Sequence, residues 1–257
     1  MTSKKTIFSQ PASQIIPNFW DIIAWIFMIA ILCAIAWGAS RMSMPYHLGQ
    51  KIPISLDPAN LPIYALQTVL RMFIALIISF IFTLIVGSIA AKYKTCEMII
   101  IPLIDILQSV PILGYLSIFI VAFIWVFPGS RLGPECAAIF AVFTGQVWNM
   151  TLSFYQSLKT IPNELVEATQ IYQLNPWQRF WRLEVPFAMP GLLWNAMISM
   201  SAGWFFIVAS EAISVANQNI TLPGIGSYIA LANAQGSIHA IIMSILAMLV
   251  VILLYDQ

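Results

Sequence analysis

The sequence predicts an all-α membrane protein of about six transmembrane helices, and three observations carry that prediction. Hydrophobic residues make up 60% of the 257-residue chain, charged residues only 8%, and the apolar residues gather in long charge-free runs. So little charge cannot solvate the outside of a soluble globule, and a mean hydropathy of +0.88 makes the bilayer the natural solvent and membrane lipid the natural surrounding. A net charge of +1 offers no polyanion-binding surface, which excludes nucleic acid as a partner.

A helix needs about 20 residues at 1.5 Å rise to cross roughly 30 Å of hydrocarbon with every backbone amide satisfied internally. Six runs meet that need: Ile22 to Ser40, Met72 to Ala91, Ile106 to Phe127, Cys136 to Leu158, Phe187 to Ser210 and Ile238 to Tyr255. Lys4 and Lys5 are followed by polar residues and prolines with no small-residue cleavage site, so the first run is expected to be a retained span. Residues 1–60 then comprise an N-terminal arm, this span and an outer loop punctuated by Pro45, Gly49, Pro53 and Pro58. Residues 61–257 form the helical core. Cys33, Cys96 and Cys136 are widely spaced in or beside apolar stretches and read as packing residues.

Lys and Arg are retained preferentially on the cytoplasmic side. With the N-terminus inside, Lys4, Lys5, Lys92, Lys94, Lys159, Arg179 and Arg182 fall in the cytoplasm, against Arg41, Lys51 and Arg131 outside and Arg71 at the outer start of the second span. The expectation is a multi-pass protein with both termini cytoplasmic and the polar segment Lys159 to Pro186 in the cytoplasm.

Two segments are unlike an inert anchor. The third run sets Pro102, Pro111 and Gly114 around polar Asp105, Gln108 and Ser109. Proline removes an amide donor and clashes with the preceding turn, so this region is expected to be kinked or broken, either as a cavity lining or as a packing kink. Glu211 follows the apolar run Gly203 to Ser210 and precedes a polar stretch ending in Leu222-Pro-Gly-Ile-Gly226. A carboxylate at the centre of a membrane helix costs about 2.5 to 3.5 kcal/mol, so Glu211 should face water or a partner. Asp105, Gln108, Ser109 and Glu211 are therefore the candidate substrate-path residues.

The segment Lys159 to Pro186 encodes two short helices. Pro162 opens the first, with Glu164 and Glu167 in its early turns where carboxylates complement the positive helix end. Asn175 is the N-cap of a second, with Pro176 at its first position and Trp177, Phe180 and Trp181 at helical spacing. Such a helix-turn-helix with apolar faces is a docking surface for a protein or for the membrane surface.

This segment resembles the EAA loop of ATP-binding-cassette (ABC) import permeases, whose pattern is Glu-Ala-Ala, three residues, Gly, nine residues, then Ile-x-Leu-Pro. Glu167, Ala168 and Thr169 are followed in the same register by Gln173 and by Leu183-Glu-Val-Pro186. The departures are Thr169 for Ala, Leu183 for Ile, Val185 for Leu and Gln173 for the turn Gly. Glycine reaches positive φ without strain and glutamine does not, so the turn is expected to be built differently or the coupling altered. The resemblance runs from about Thr68 to the C-terminus. Asp105 to Leu113 looks like the broken helix of these permeases, and Trp204 to Glu211 with Leu222 to Gly226 is similar to the nitrate, sulfonate, taurine or bicarbonate branch.

The resemblance implies a type I importer fold and one permease half, paired with a second as homodimer, heterodimer or fused chain. It implies an ABC ATP-binding subunit docked on Glu164, Glu167, Ala168, Gln173, Leu174 and Pro176, an extracytoplasmic solute-binding protein, and residence in a bacterial inner membrane. The chain carries no Gly-x-x-x-x-Gly-Lys-Ser/Thr phosphate loop, so no cofactor is expected on it and ATP is expected on the partner. Broken helices and buried carboxylates suit an ion-coupled secondary transporter equally, and a non-transporting membrane scaffold is a third reading. An intramembrane enzyme is disfavoured: there are two histidines and neither Gly-x-Ser-x-Gly nor His-Glu-x-x-His.

Overall fold

The computed structural model describes residues 54–215 and 218–255, together with Ile29, Cys33, Ala36 and Ser40, which are helical. The rest of the expected first span, its flanking lysines and the loop through Lys51 lie outside the described residues.

Asp57 caps a 3-10 turn, Pro58–Asn60, by accepting from the Ala59 amide at 3.0 Å. The turn runs directly into α1, Leu61–Lys92. This helix starts eleven residues before the expected Met72, because Arg71 does not end it: the side chain turns into the protein and is 1% exposed. A single extended residue, Tyr93 (φ −118°, ψ 112°), separates α1 from α2, Lys94–Ser109. Pro102 lies inside α2 without ending it. The break comes at Val110 and Pro111, both extended, in line with the bias of the residue before a proline away from helix. The chain restarts as α3, Ile112–Val126. The third expected span is thus two helices with their junction at Pro111.

After a turn through Gly129 (φ 74°) come α4, Leu132–Lys159, and α5, Asn163–Ile171. Then α6 runs as one continuous helix, Pro176–Glu211, with a π-helical turn at Phe180–Glu184. The second of the two expected short helices is therefore the first turn of a membrane span. A short antiparallel hairpin follows, β1 (Ala212–Val215) on β2 (Gln218–Thr221), pairing Ala212 with Thr221 and Val215 with Gln218. The chain closes with α7, Ile225–Ala234, and α8, Ile238–Tyr255.

Among the described residues, α1, α4 and α6 are the helices long and apolar enough to cross a membrane, with α7 and α8 as shorter apolar helices. Arg71 meets Glu135 and Glu211 at one end of the bundle, and Lys92 meets Glu184 at the other, so α1 and α4 run parallel and α6 antiparallel to both. Their interface is built on small side chains, because lipid-exposed helices gain little from hydrophobicity and must approach closely. Ala75, Ala138 and Gly203 lie at the contact; a Cβ on Gly203 would stand 3.3 Å from Met72 Cε. Met72, Val142, Trp204 and Ile207 fill the spaces between. Thr83 and Thr151 hydrogen-bond across α1 and α4 at 3.1 Å; the Thr151 hydroxyl donates to the Val147 carbonyl at 2.8 Å and so accepts from Thr83, whose buried hydroxyl is satisfied there.

Candidate functional site

The α2–α3 break opens a cavity of about 560 Å³. Leu107 to Pro111 form one wall, Thr144, Gly145, Trp148 and Asn149 of α4 a second, and Phe205 and Phe206 of α6 a third. Helix rise places Thr144 about 14 Å from Glu135 along α4, and Lys159 about 22 Å further, so the cavity sits within the span. Discontinuous helices that free backbone groups at mid-depth are how membrane transporters line a solute site. Gln108 and Ser109, both expected from the sequence, lie in this wall. Asp105 lies one turn back and holds them: its carboxylate accepts from Gln108 Nε2 at 2.7 Å, and its carbonyl accepts from the Ser109 hydroxyl at 2.9 Å. Thr144, Trp148 and Asn149 were not legible as lining residues, since a threonine or asparagine on an otherwise apolar helix carries no signal of the side it faces.

Glu211 lies elsewhere, wholly buried at the end of α6. Arg71 forks onto Glu135, Nε to Oε2 at 2.5 Å and Nη2 to Oε1 at 2.8 Å, and its Nη1 donates to Glu211 Oε1 at 2.7 Å and to the Pro223 carbonyl at 3.0 Å. Glu211 also accepts from the Thr68 hydroxyl and the Gly226 amide, both at 2.7 Å, while Thr68 accepts from the Ile225 amide. Each carboxylate oxygen thus has a donor, and the Thr68 hydroxyl already gives its proton to Glu211, so the hydrogen bonding fits two ionised acids. One guanidinium against two carboxylates leaves one excess negative charge. Two helix N-termini offset it, each equivalent to about half a positive charge: Glu135 is in the first turn of α4, and the Gly226 amide belongs to the first turn of α7. The approach of residues 222–226 requires glycine, since a Cβ on Gly224 would lie 2.3 Å from the Glu211 carboxylate and one on Gly226 2.4 Å from the Val208 carbonyl oxygen. Arg71 and Glu135 escaped the sequence reading because each sits one residue outside a run bounded by its first charge. Charges at the edges of apolar runs that need partners were the available signal.

At the opposite end, α5 and the start of α6 form a two-helix turn. Gln173 takes φ 51°, the left-handed region. Its amide donates to the Gln170 carbonyl at 2.9 Å and the Leu174 amide to the Thr169 carbonyl at 3.0 Å, the paired bonds of a Schellman C-cap. Of the two outcomes expected for Gln173, a differently built turn is corrected: glutamine occupies the glycine conformation, at a strain of roughly 1–2 kcal/mol. Asn175 Oδ1 accepts from the Gln178 amide at 2.8 Å and Gln178 Oε1 from the Asn175 amide at 3.1 Å, a capping box with Pro176 inside it. Glu164, Glu167, Gln173 and Pro176 are exposed, Ala168 and Leu174 half-buried. Beside them Ile171 and Tyr172 are 79% and 77% exposed, and Trp177 is exposed as well. Glu97, at the start of α2, accepts from Lys159 at 2.7 Å and from the Tyr155 hydroxyl, and these bonds hold its carboxyl below the usual range.

A helical membrane bundle with a cavity at a broken helix and a capped two-helix turn projecting from one end defines a multi-span membrane permease. The chain belongs to the family of binding-protein-dependent transport system inner membrane components, whose model matches residues 83–257. It is 28% identical over 121 residues to the bicarbonate transport system permease protein CmpB of Synechocystis sp., covering 47% of this chain and 41% of that protein. It is 24% identical over 174 residues to the nitrate import permease protein NrtB of the same organism, covering 68% and 57%. It is 22% identical over 199 residues to the taurine transport system permease protein TauC of Escherichia coli, covering 72% and 70%. The chain spans about half the length of the first curated relatives it matches.

Proposed function

We propose that this chain is one transmembrane half of an ATP-driven importer, coupled through residues 159–186 to a separate ABC ATPase subunit. The observation that carries this reading is the continuity of α6. The helix begins in the two-helix turn at Pro176 and ends beyond Phe205 and Phe206 in the cavity wall, so displacement of the turn is delivered to the cavity by a single rod about 44 Å long. The exposed apolar side chains Ile171, Tyr172 and Trp177 beside Glu164 and Glu167 supply the docking face. Glu167, Ala168, Leu174 and Pro176 make the contact, and Gln173 shapes the turn between the helices.

In this reading the turn is cytoplasmic, both termini lie inside, and the Arg71 cluster lies toward the outer face. An extracytoplasmic solute-binding protein delivers solute there, and a second permease half completes the path. Gln108, Ser109, Thr144, Trp148 and Asn149 present uncharged polar groups to the cavity, with Asp105 orienting the first two. Bicarbonate, nitrate and taurine, the solutes named for the three relatives described above, share small size and anionic oxygens, and we assign a small oxyanion or sulfonate to this path. Glu211, with all its oxygens engaged by protein donors, shapes the outer end of the bundle without contacting solute.

For coupling, nucleotide and solute must bias the same inward and outward equilibrium. Glu167→Lys in the reconstituted complex should leave membrane insertion intact and abolish stimulation of ATP turnover by the loaded binding protein. Normal stimulation would refute the assignment of the turn.

A further inference from the structure

Two ion pairs outside the cavity converge on one corner of the chain. Lys159, where α4 passes into the turn, lies 2.7 Å from Glu97 Oε2 in the first turn of α2, and the Tyr155 hydroxyl donates to the other oxygen of that carboxylate. Glu184, where the turn passes into the body of α6, lies 2.7 Å from Lys92 Nζ at the end of α1 and 3.3 Å from Arg179 Nε. The Lys92 ammonium also stands 5.3 Å from the Phe180 ring centroid. Lys92 and Glu97 flank Tyr93, so both ends of the two-helix turn grip the same α1–α2 corner. From that corner α2 leaves as a rod with Ile104 as its buried side chain, and it ends at Ser109 in the cavity wall. Glu97 and Gln108 are eleven residues apart, about 16 Å along the helix.

We propose that Lys92, Glu97, Lys159 and Glu184 are positioning residues that clasp α2 to the two-helix turn and pass the turn's displacement to the cavity wall formed by Gln108 and Ser109. This rests on the coupling reading above and adds a second route beside α6. The Lys159–Glu97 pair is partly exposed and contributes little to folding stability, and the buried Glu184 carboxylate keeps Arg179 Nε at 3.3 Å when Lys92 is neutralised, so the corner loosens while the bundle stays intact. The pairs differ from general surface charge in one respect: each joins an end of the turn to an end of the same short connection. A sparsely buried helix such as α2 follows whatever holds its first turn, because little else restrains it.

The test uses the full complex in membrane vesicles of its host, with Cys33, Cys96 and Cys136 replaced by alanine and Ser109→Cys as reporter. The rate of maleimide labelling at position 109 is measured with and without ATP and vanadate. The intact clasp should give different rates in the two conditions. Glu97→Gln combined with Lys92→Met should bring the ratio of rates markedly closer to one while the ATPase subunit still co-purifies, the remainder being carried by α6. The charge swap Glu97→Lys with Lys159→Glu, Lys92 intact, should return the ratio toward the wild-type value. A nucleotide-dependent ratio unchanged by Glu97→Gln with Lys92→Met would overturn the clasp and leave the coupling turn standing. A ratio of one with the clasp intact would overturn the coupling reading and the clasp with it.

Discussion

Replacing Arg71 with methionine is the most informative single perturbation of this fold. Arg71→Met keeps an unbranched stem that reaches about as far as the arginine Nε but removes the hydrogen bonds to Glu135, Glu211 and the Pro223 carbonyl. The side-chain charge of the cluster falls from one negative to two, at a site where Glu211 is 0% exposed and Glu135 is buried. Breaking a buried ion pair from one side typically costs about 3–5 kcal/mol, because the remaining charge loses its partner while staying out of water. At about 2–4 °C per kcal/mol for a chain of this size, the melting temperature in detergent should fall by roughly 6–20 °C. Arg71→Lys should recover only part of the loss, since an ammonium cannot fork onto Glu135 while also reaching Glu211. Arg71→Met combined with Glu135→Gln and Glu211→Gln should be less damaging than Arg71→Met alone, because no unpaired charge remains. Tryptophan fluorescence or size-exclusion thermal scans read all three. An Arg71→Met melting temperature within about 2 °C of wild type would refute the charge ledger, including the compensation by the α4 and α7 N-termini.

Three further outcomes follow from the same geometry. Gly226→Ala forces a methyl to within 2.4 Å of the Val208 carbonyl oxygen, a backbone atom that cannot rotate away, so it should cost about 1–3 kcal/mol in the same thermal scan. Gln173→Gly relieves the left-handed residue at φ 51° but adds freedom to the unfolded chain, so its melting temperature should match or slightly exceed wild type, while Gln173→Val should lower it. Glu97 is held below its ordinary value of 4.5 by Lys159 and Tyr155, so its contribution is present above pH 4.5 and is lost as pH falls through the lowered value. The melting-temperature difference between wild type and Glu97→Gln should therefore be present at neutral pH and shrink below pH 4.5.

What the sequence revealed and what it hid have separate physical reasons. The break at Pro111 was legible because proline restricts the residue before it whatever the surroundings, and the Asn175 cap because its hydrogen bonds are local. Pro102 shows the limit of that logic, since it lies inside α2 without ending the helix. Gln173 was misjudged because the neighbouring caps decide the backbone there and side-chain preference is the smaller term. Arg71 and Glu135 were hidden by defining spans as charge-free, when pairing across 64 residues makes a charge tolerable inside one. The walls contributed by Thr144, Asn149 and Phe206 depend on helix rotation, which periodicity does not fix in segments apolar on every side. The hairpin at 212–221 pairs strands too short to stand out from the polar connection around them.

The central claim is that an ATPase gripping residues 159–186 drives solute through the cavity at the α2–α3 break. Its most direct test is uptake of labelled nitrate, bicarbonate and taurine into proteoliposomes holding this chain, its permease partner, its ATPase and its binding protein, without any ion gradient. The account predicts uptake of at least one of them that requires ATP and disappears with Glu167→Lys. Uptake driven by a proton or sodium gradient in the absence of the ATPase would contradict it.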